Sequence, residues 1–203
     1  MAGYLIARND ITDPAGYRPY QEQAPPLVGA MGGRLLAFMD GPLLLEGGPA
    51  PGRLVIASFP SLAATVDFYR SPQYQAMVAL RAGTARMDMN ALEGLPDAEA
   101  APNPAGGPPR ALMVAWIRVT DPDKYEGYKK LSPGALAAHG GRFLARGGES
   151  ITLEGPPVEA RWVMVEFPSL AAIPKFYDSP EYLAARTARA GAAEMTMLAA
   201  EYL

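Results

Sequence analysis

Glu166, a set of arginines and two tryptophans are the side chains of this sequence best suited to chemistry. Strand alternation collects them on one face. In the second half of the chain that face reads Leu112, Val114, Trp116, Arg118, Arg142, Leu144, Arg146, Trp162, Met164, Glu166, Glu194 and Thr196. In the first half it reads Tyr4, Ile6, Arg8, Asp10, Arg34, Leu36, Phe38, Leu54, Ile56, Ser58, Arg86 and Asp88. A solvated sheet face does not normally collect both tryptophans of a protein, whereas a barrel lumen does. Arginine presents a planar fork suited to a carboxylate, phenolate or enolate. Trp116 and Trp162 could stack on a flat ring. The arginines of this face, Arg8, Arg34, Arg86, Arg118, Arg142 and Arg146, therefore admit two readings. They form a cationic pocket, or they pair with Asp10, Asp88, Glu166 and Glu194 to stitch the halves together. The two can hold at different ends of one barrel.

Glu166 is the best single acid/base candidate. Partial burial beside Phe167 would raise its pKa toward neutrality and make it a general base. The structural alternative is a carboxylate gripping Arg142 or Arg146. His139, the one imidazole of the chain, ends a helix, where a cation is favoured by the dipole. It is the second catalytic candidate, against a plain surface role. Tyr17, Tyr20, Tyr125 and Tyr128 lie i, i+3 on the first helix of each half, and Tyr69, Tyr74, Tyr177 and Tyr182 on the second. They read mainly as packing residues whose hydroxyls each need one partner.

The elements that must carry these residues come in duplicate. Thr12-Asp13-Pro14 returns as Thr120-Asp121-Pro122, Gly32-Gly33-Arg34 as Gly140-Gly141-Arg142, and Phe59-Pro60-Ser61-Leu62 as Phe167-Pro168-Ser169-Leu170. The offset is a constant 108 residues and about 40 paired positions are identical. Two units follow, residues 1–95 and 110–203, joined by a Pro-rich linker over 96–109. At ~3.1 Å per residue that linker could reach on the order of 40 Å.

Each unit reads strand, helix, strand, strand, helix, strand. Asp followed by Pro is a strong helix start. Pro25-Pro26 and Pro133-Gly134 predict an interruption of the first helix, and Gly-Gly its stop. Ser61 and Ser169 are expected to cap the second helix, which Ser71-Pro72 and Ser179-Pro180 restart. Pro174 predicts a kink in the second copy. The order βαββαβ is the ferredoxin-like unit.

Bulk properties exclude several classes. Of the 203 residues 49% are apolar and 19% charged, as in a globular protein. A net charge of −3 supplies no basic footprint for nucleic acid. No apolar run is long enough for a membrane-spanning helix, and the first ten residues do not resemble a signal peptide, so a cytoplasmic location is expected. With no cysteine and one histidine, Cys-ligated metals and multi-His sites are excluded within one chain. A haem would have only His139 among imidazoles. Neither a phosphate loop, a dinucleotide fingerprint nor a nucleophile elbow is present. No cofactor or metal is expected.

Thr-Asp-Pro, Gly-Gly-Arg-Phe-Leu-Ala-Arg-Gly-Gly at 140–148, Leu-Glu-Gly at 153–155, Val-Glu-Phe-Pro-Ser at 165–169 and Phe-Tyr-Asp-Ser-Pro-Glu-Tyr at 176–182 resemble a bacterial family known as domain of unknown function 1330. The resemblance spans nearly all of both halves. It implies two ferredoxin-like α+β repeats forming an intramolecular, pseudo-dimeric α+β barrel, each with a four-stranded sheet. The superfamily so implied holds cofactor-free monooxygenases, lactone isomerases, dye-decolouring peroxidases and polyketide cyclases. The first half departs from the pattern: Phe38-Met39-Asp40 matches Arg146-Gly147-Gly148, and Ser58 matches Glu166. The leading expectation is a cofactor-independent isomerase, cyclase or lyase acting on a small anion. Glu166 and His139 are its catalytic candidates, and Arg142, Arg146, Trp116, Trp162, Arg118, Arg34 and Arg8 its binding residues. A cofactor-free monooxygenase and a non-catalytic binding or structural protein are the alternatives. The partner is a small molecule, with neither nucleic acid nor membrane, and the pseudo-dimer could pair further.

Overall fold

The computed structural model describes residues 1–203. The first half runs β1 (Gly3–Ile11), α1 (Pro14–Ala30), β2 (Arg34–Asp40), β3 (Leu43–Glu46), β4 (Arg53–Phe59), α2 (Leu62–Arg70), α3 (Pro72–Leu80) and β5 (Ala85–Glu93). The second runs β6 (Ala111–Val119), α4 (Pro122–Ala138), β7 (Arg142–Arg146), β8 (Ser150–Glu154), β9 (Arg161–Phe167), α5 (Ala172–Tyr177), α6 (Pro180–Ala188) and β10 (Ala193–Glu201). Asp13 Oδ1 accepts from the amides of Ala15 and Gly16, both at 3.1 Å. Asp121 likewise caps α4 through Lys124 N.

The first helix is not interrupted in either copy. α1 continues through Pro19, Pro25 and Pro26. The carbonyls those prolines leave unpaired, at Ala15, Gln21 and Glu22, all belong to exposed residues, so water can take them. Meanwhile Tyr17, Tyr20, Ala24 and Val28 form a buried stripe that holds the helix to the sheet, each large side chain contributing ~1.5–3 kcal/mol. The second helix differs between copies. Ser61 Oγ accepts from Ala64 N, but Ser169 supplies no such cap and α5 starts late, at Ala172. Pro174 therefore lies in the first turn rather than kinking a longer helix. The Leu170 carbonyl takes the Ile173 amide instead.

Both sheets are antiparallel and five-stranded, in the orders β2-β4-β1-β5-β8 and β3-β10-β6-β9-β7. Each half thus builds four strands and receives a fifth from the other: β8 pairs with β5, and β3 with β10. The exchanged arms are pinned at their ends. Glu154 accepts from Arg81 at 2.8 and 2.5 Å and from Tyr69 at 3.2 Å. Glu46 accepts from Arg189 at 2.9 and 2.5 Å and from Tyr177 at 3.1 Å.

The inner faces of the two sheets enclose one core of 17 buried residues, including Ile6, Leu54, Ile56, Leu112, Val114, Met164 and Leu198, each fully buried. The centre of the lumen is filled. Two further cores lie between the sheets and their helices. β2 and β7 each carry a bulge, at Leu36 and Leu144. There two successive residues, Leu36 and Ala37 or Leu144 and Ala145, point into the lumen. Beyond the bulge the alternation reverses. Arg146 lies opposite Val163 on the helix side, its guanidinium carbon 4.6 Å from the Phe143 ring centre. The expected lumen position of Arg146, and of Phe38 in the first copy, is corrected accordingly.

Candidate functional site

Polar side chains gather at the two ends of the packed lumen. Equivalent positions of the two halves meet at each end. Arg34 and Arg142 donate to neighbouring linker carbonyls, of Ala100 at 2.6 Å and Glu99 at 2.7 Å. At the other end the Arg8 guanidinium stacks on Trp116, its partner in the repeat, at 4.6 Å. The pseudo-twofold axis therefore runs through both poles.

At the first pole β9 delivers Glu166, whose side chain is 2% exposed. Its carboxylate accepts from Tyr202 OH at 2.7 Å, Arg142 Nη2 at 2.9 Å, Ala101 N at 2.9 Å and Arg110 Nη1 at 3.5 Å. Burial alone would raise the carboxyl pKa. The Tyr202 hydroxyl, Arg142 and the Ala101 amide outweigh it and hold the pKa below its ordinary value. This corrects the expected rise toward neutrality. The linker lies across this pole. Tyr4 OH donates to Ala98 O, and Ala100 is buried in the lumen core. With Arg110, whose Nε donates to Pro102 O at 3.1 Å, five side chains, from both halves, thus strap the linker over the opening.

The second pole is built by the outer ends of β1, β5, β6 and β9. Trp116 and Trp162 face each other across a strand pair with ring centres 5.4 Å apart. Arg8, with a side chain 11% exposed, reaches over both, donates to Asn90 Oδ1 at 3.2 Å and sits 3.7 Å from Asp88. Burial lowers its pKa, opposed by Asp88. Its Nε, and the Trp162 Nε1, are buried with no hydrogen-bond partner. A cleft of about 240 Å³ opens here, lined by Arg8, Asp10, Arg86, Asp88, Trp116, Thr196 and the loop Gly48–Pro51. The Gly52 amide and Arg86 hold Asp10 and lower its pKa. Asp88 has only the long contact to Arg8.

The structure thus brings Arg8, Trp116 and Trp162 together, and separately Glu166, Arg142 and Arg34. Arg118 is on the surface, 62% exposed and paired with Glu194 at 2.5 Å. His139 is the C-cap of α4, 6.1 Å from Phe176 in the helix-side core, on the opposite face of the sheet from Glu166. Tyr202, Arg110, Asp88 and Asn90 were not among the predicted site residues. Comparison of the copies carries a signal for two of them. Tyr202 stands where the first half has Gly94, matching the Glu166/Ser58 difference. Asn90 stands against Leu198, matching Arg8/Trp116.

The fold is shared with several solved structures. A candidate monooxygenase from Fusobacterium nucleatum subsp. nucleatum superposes with a TM-score of 0.60 at 8% identity, covering 100% of this chain and 93% of that one. An anthrone oxidase-like protein gives 0.57 at 15%, covering 100% and 91%. A candidate chlorite dismutase gives 0.55 at 14%, covering 100% and 94%. At these identities the likeness is one of fold, the dimeric α+β barrel realised in a single chain. No curated protein matches. The family model described as "Domain of unknown function (DUF1330)" matches twice, over residues 2–95 and 110–203. The chain belongs to that family, as a tandem of two of its domains.

Proposed function

We propose that the protein binds a small, flat organic anion at the tryptophan pole and moves a proton on it. The observation that carries this reading is the nearly buried Arg8. Its Nε has no partner, although a donor buried without one costs ~1–3 kcal/mol or more. It lies at the wall of an open cleft, stacked on an aromatic pair that could extend onto a planar ligand. Arg8 would hold the anionic group, and Trp116 and Trp162 would shape the ring site. Asp88, the cleft carboxylate without a short partner, would accept a proton from the carbon beside the anion. The C–H electron pair would then spread into an enolate facing Arg8. Return of the proton to another carbon completes an isomerisation, and loss of a leaving group completes an elimination. Glu166, Arg142 and Arg34 are read as the fastening of the linker.

Both tryptophans of the chain are at this pole, so their fluorescence reports on it. Titration with aromatic carboxylates should quench the emission of the wild type. Arg8→Met should abolish the response and Arg8→Lys weaken it, while Asp88→Asn should bind but not turn over. A panel that leaves the emission unchanged, or an Arg8→Met protein that binds normally, would overturn the reading. Oxygen uptake during turnover would instead assign the monooxygenase chemistry.

A further inference from the structure

Arg53 and Arg161 are equivalent residues of the repeat, at the starts of β4 and β9. In the first half this arginine has a full set of partners. Arg53, with a side chain 8% exposed, donates from Nε and Nη2 to the Asp40 carboxylate at 2.5 and 3.1 Å, and from Nη1 to Gln21 Oε1 at 2.8 Å. Its guanidinium carbon lies 4.4 Å from the centre of the Phe38 ring.

In the second half all three partners are exchanged. Gly148 stands for Asp40, Lys129 for Gln21 and Arg146 for Phe38. An acid, an amide and a ring have become a glycine and two cations. Arg161 keeps one long hydrogen bond, from Nη2 to the Arg146 carbonyl at 3.4 Å. The ion pairs of the chain include neither Arg146 nor Arg161. Lys129 pairs only with the exposed Glu126, one turn back on α4.

The cations converge on one place. Arg146 faces Val163 across the β7–β9 ladder, and Arg161 is two residues from Val163 on the same face. Both line one crevice beneath α4, together with Lys129, Tyr125 and Ser132. Both also act on the Tyr125 hydroxyl, opposing the burial that pushes its pKa up to about 12. Half-buried like charges repel, and solvent screens them less than it would at an open surface. The fold does not demand this arrangement, since the first copy gives the same arginine an acid. Cations gathered without an acid call for an anion from outside the chain, and the guanidinium fork suits phosphate oxygens.

We infer that the helix side of β7 and β9 is a binding site for a phosphate group, free or carried by a small molecule. Arg146 and Arg161 grip its oxygens, Lys129 adds a point charge, and Tyr125 and Ser132 supply hydroxyls. All three cations remain partly exposed, so the anion sits at the mouth of the crevice and needs no internal volume. Trp162 follows Arg161 on β9 and faces the lumen instead. The site is therefore across the sheet from the tryptophan pole and does not depend on the function proposed there.

The test follows the arginine Nε–H groups of the full chain by NMR at neutral pH and constant ionic strength. Chloride is replaced in turn by phosphate, phenyl phosphate and acetate. Phosphate should shift Arg146 and Arg161 saturably and leave Arg53 in place. Acetate, with one charge and two oxygens, should bind about tenfold more weakly, the worth of one charge-assisted hydrogen bond. Arg146→Phe with Lys129→Gln installs the first half's own residues. That variant should keep a folded spectrum and bind phosphate at least about tenfold more weakly. Tighter binding of phenyl phosphate than of phosphate assigns a phosphorylated molecule as the ligand, and equal or weaker binding assigns free phosphate. The inference is overturned if the shifts do not saturate, if Arg53 moves equally or if acetate binds as tightly. It also fails if the double variant retains the affinity. The comparisons with Arg53 and acetate use the wild type alone, so they decide the matter even if the variant does not fold.

Discussion

Glu166 shows how a residue type can be identified while its role is set by its partners. Its chemistry, a carboxylate at a strand end near Arg142, was legible in the sequence. Its donors were not, because Tyr202, Arg110 and the Ala101 amide are brought to it from the C-terminus and the linker. Those donors lower its pKa, which fixes the sign of its effect on stability. A carboxyl whose folded pKa is depressed stabilises above its unfolded value of ~4.3 and loses that contribution as pH falls through the folded value. Glu166→Gln should therefore lower stability at pH 7 by ~1–3 kcal/mol, the range for an impaired buried charged hydrogen-bond set. The difference from wild type should shrink toward pH 3. Urea midpoints at the two pH values check both statements. If ligand binding at the tryptophan pole also falls in this variant, Glu166 reaches beyond the linker. Arg8 and the tryptophans could be placed on one face from alternation alone, but Arg146 could not. The bulge at Leu144 adds one residue to β7, and a single added residue turns every later side chain over.

At the scale of elements, the Asp-Pro and Ser-Pro helix starts, the Ser61 cap and the glycine stops were read correctly because they are local, whereas the expected Ser169 cap does not form. The prolines of α1 and α4 were misread because burial of an aromatic stripe outweighs a missing amide on the wet side of a helix. β3 and β8 are short and were not recognised as strands. Their partners lie on the other half, so no local pattern predicts the pairing. Each arm ends in a glutamate clamped by an arginine that is almost completely buried, Arg81 at 5% and Arg189 at 6% side-chain exposure. Removing one carboxylate strands a buried guanidinium. Glu154→Met should cost ~3–5 kcal/mol, in the range for breaking a buried pair. Arg81→Met with Glu154→Met should recover much of it, because the charge is removed with its partner. A double-mutant cycle in chemical denaturation measures the coupling, and a coupling near zero would mean that the arm is held by its strand pairing alone.

For the whole molecule, the repeat made the architecture legible before any coordinates. A constant offset means one fold twice, and a unit of about 95 residues has too little core to stand alone with an open sheet face. The structure adds how the two units close on each other. One shared core fills the lumen, and the two arms cross between the sheets. Either half expressed by itself would expose its lumen face and lack its fifth strand. Residues 110–203 alone should therefore behave as a dimer in light scattering, exchanging β8 between copies. A stable monomer would show that the unit does not need its neighbour. The tryptophan pole of such a dimer should fail to bind the anions taken by the full chain, since Arg8 is gone.

The contact between Arg8 and Trp116 joins equivalent positions across the axis. Two identical chains could set only like against like there, an arginine on an arginine or an indole on an indole. The same holds at the opposite pole, where a pair of second halves would bring two copies of Glu166 to an end that here has one, opposite Ser58. Descent from an ancestral pair of identical subunits would therefore be a one-way step. Once each half has specialised to complement the other, a pair of either half alone cannot rebuild the poles seen here, and separating the gene into its two parts would restore no ancestor.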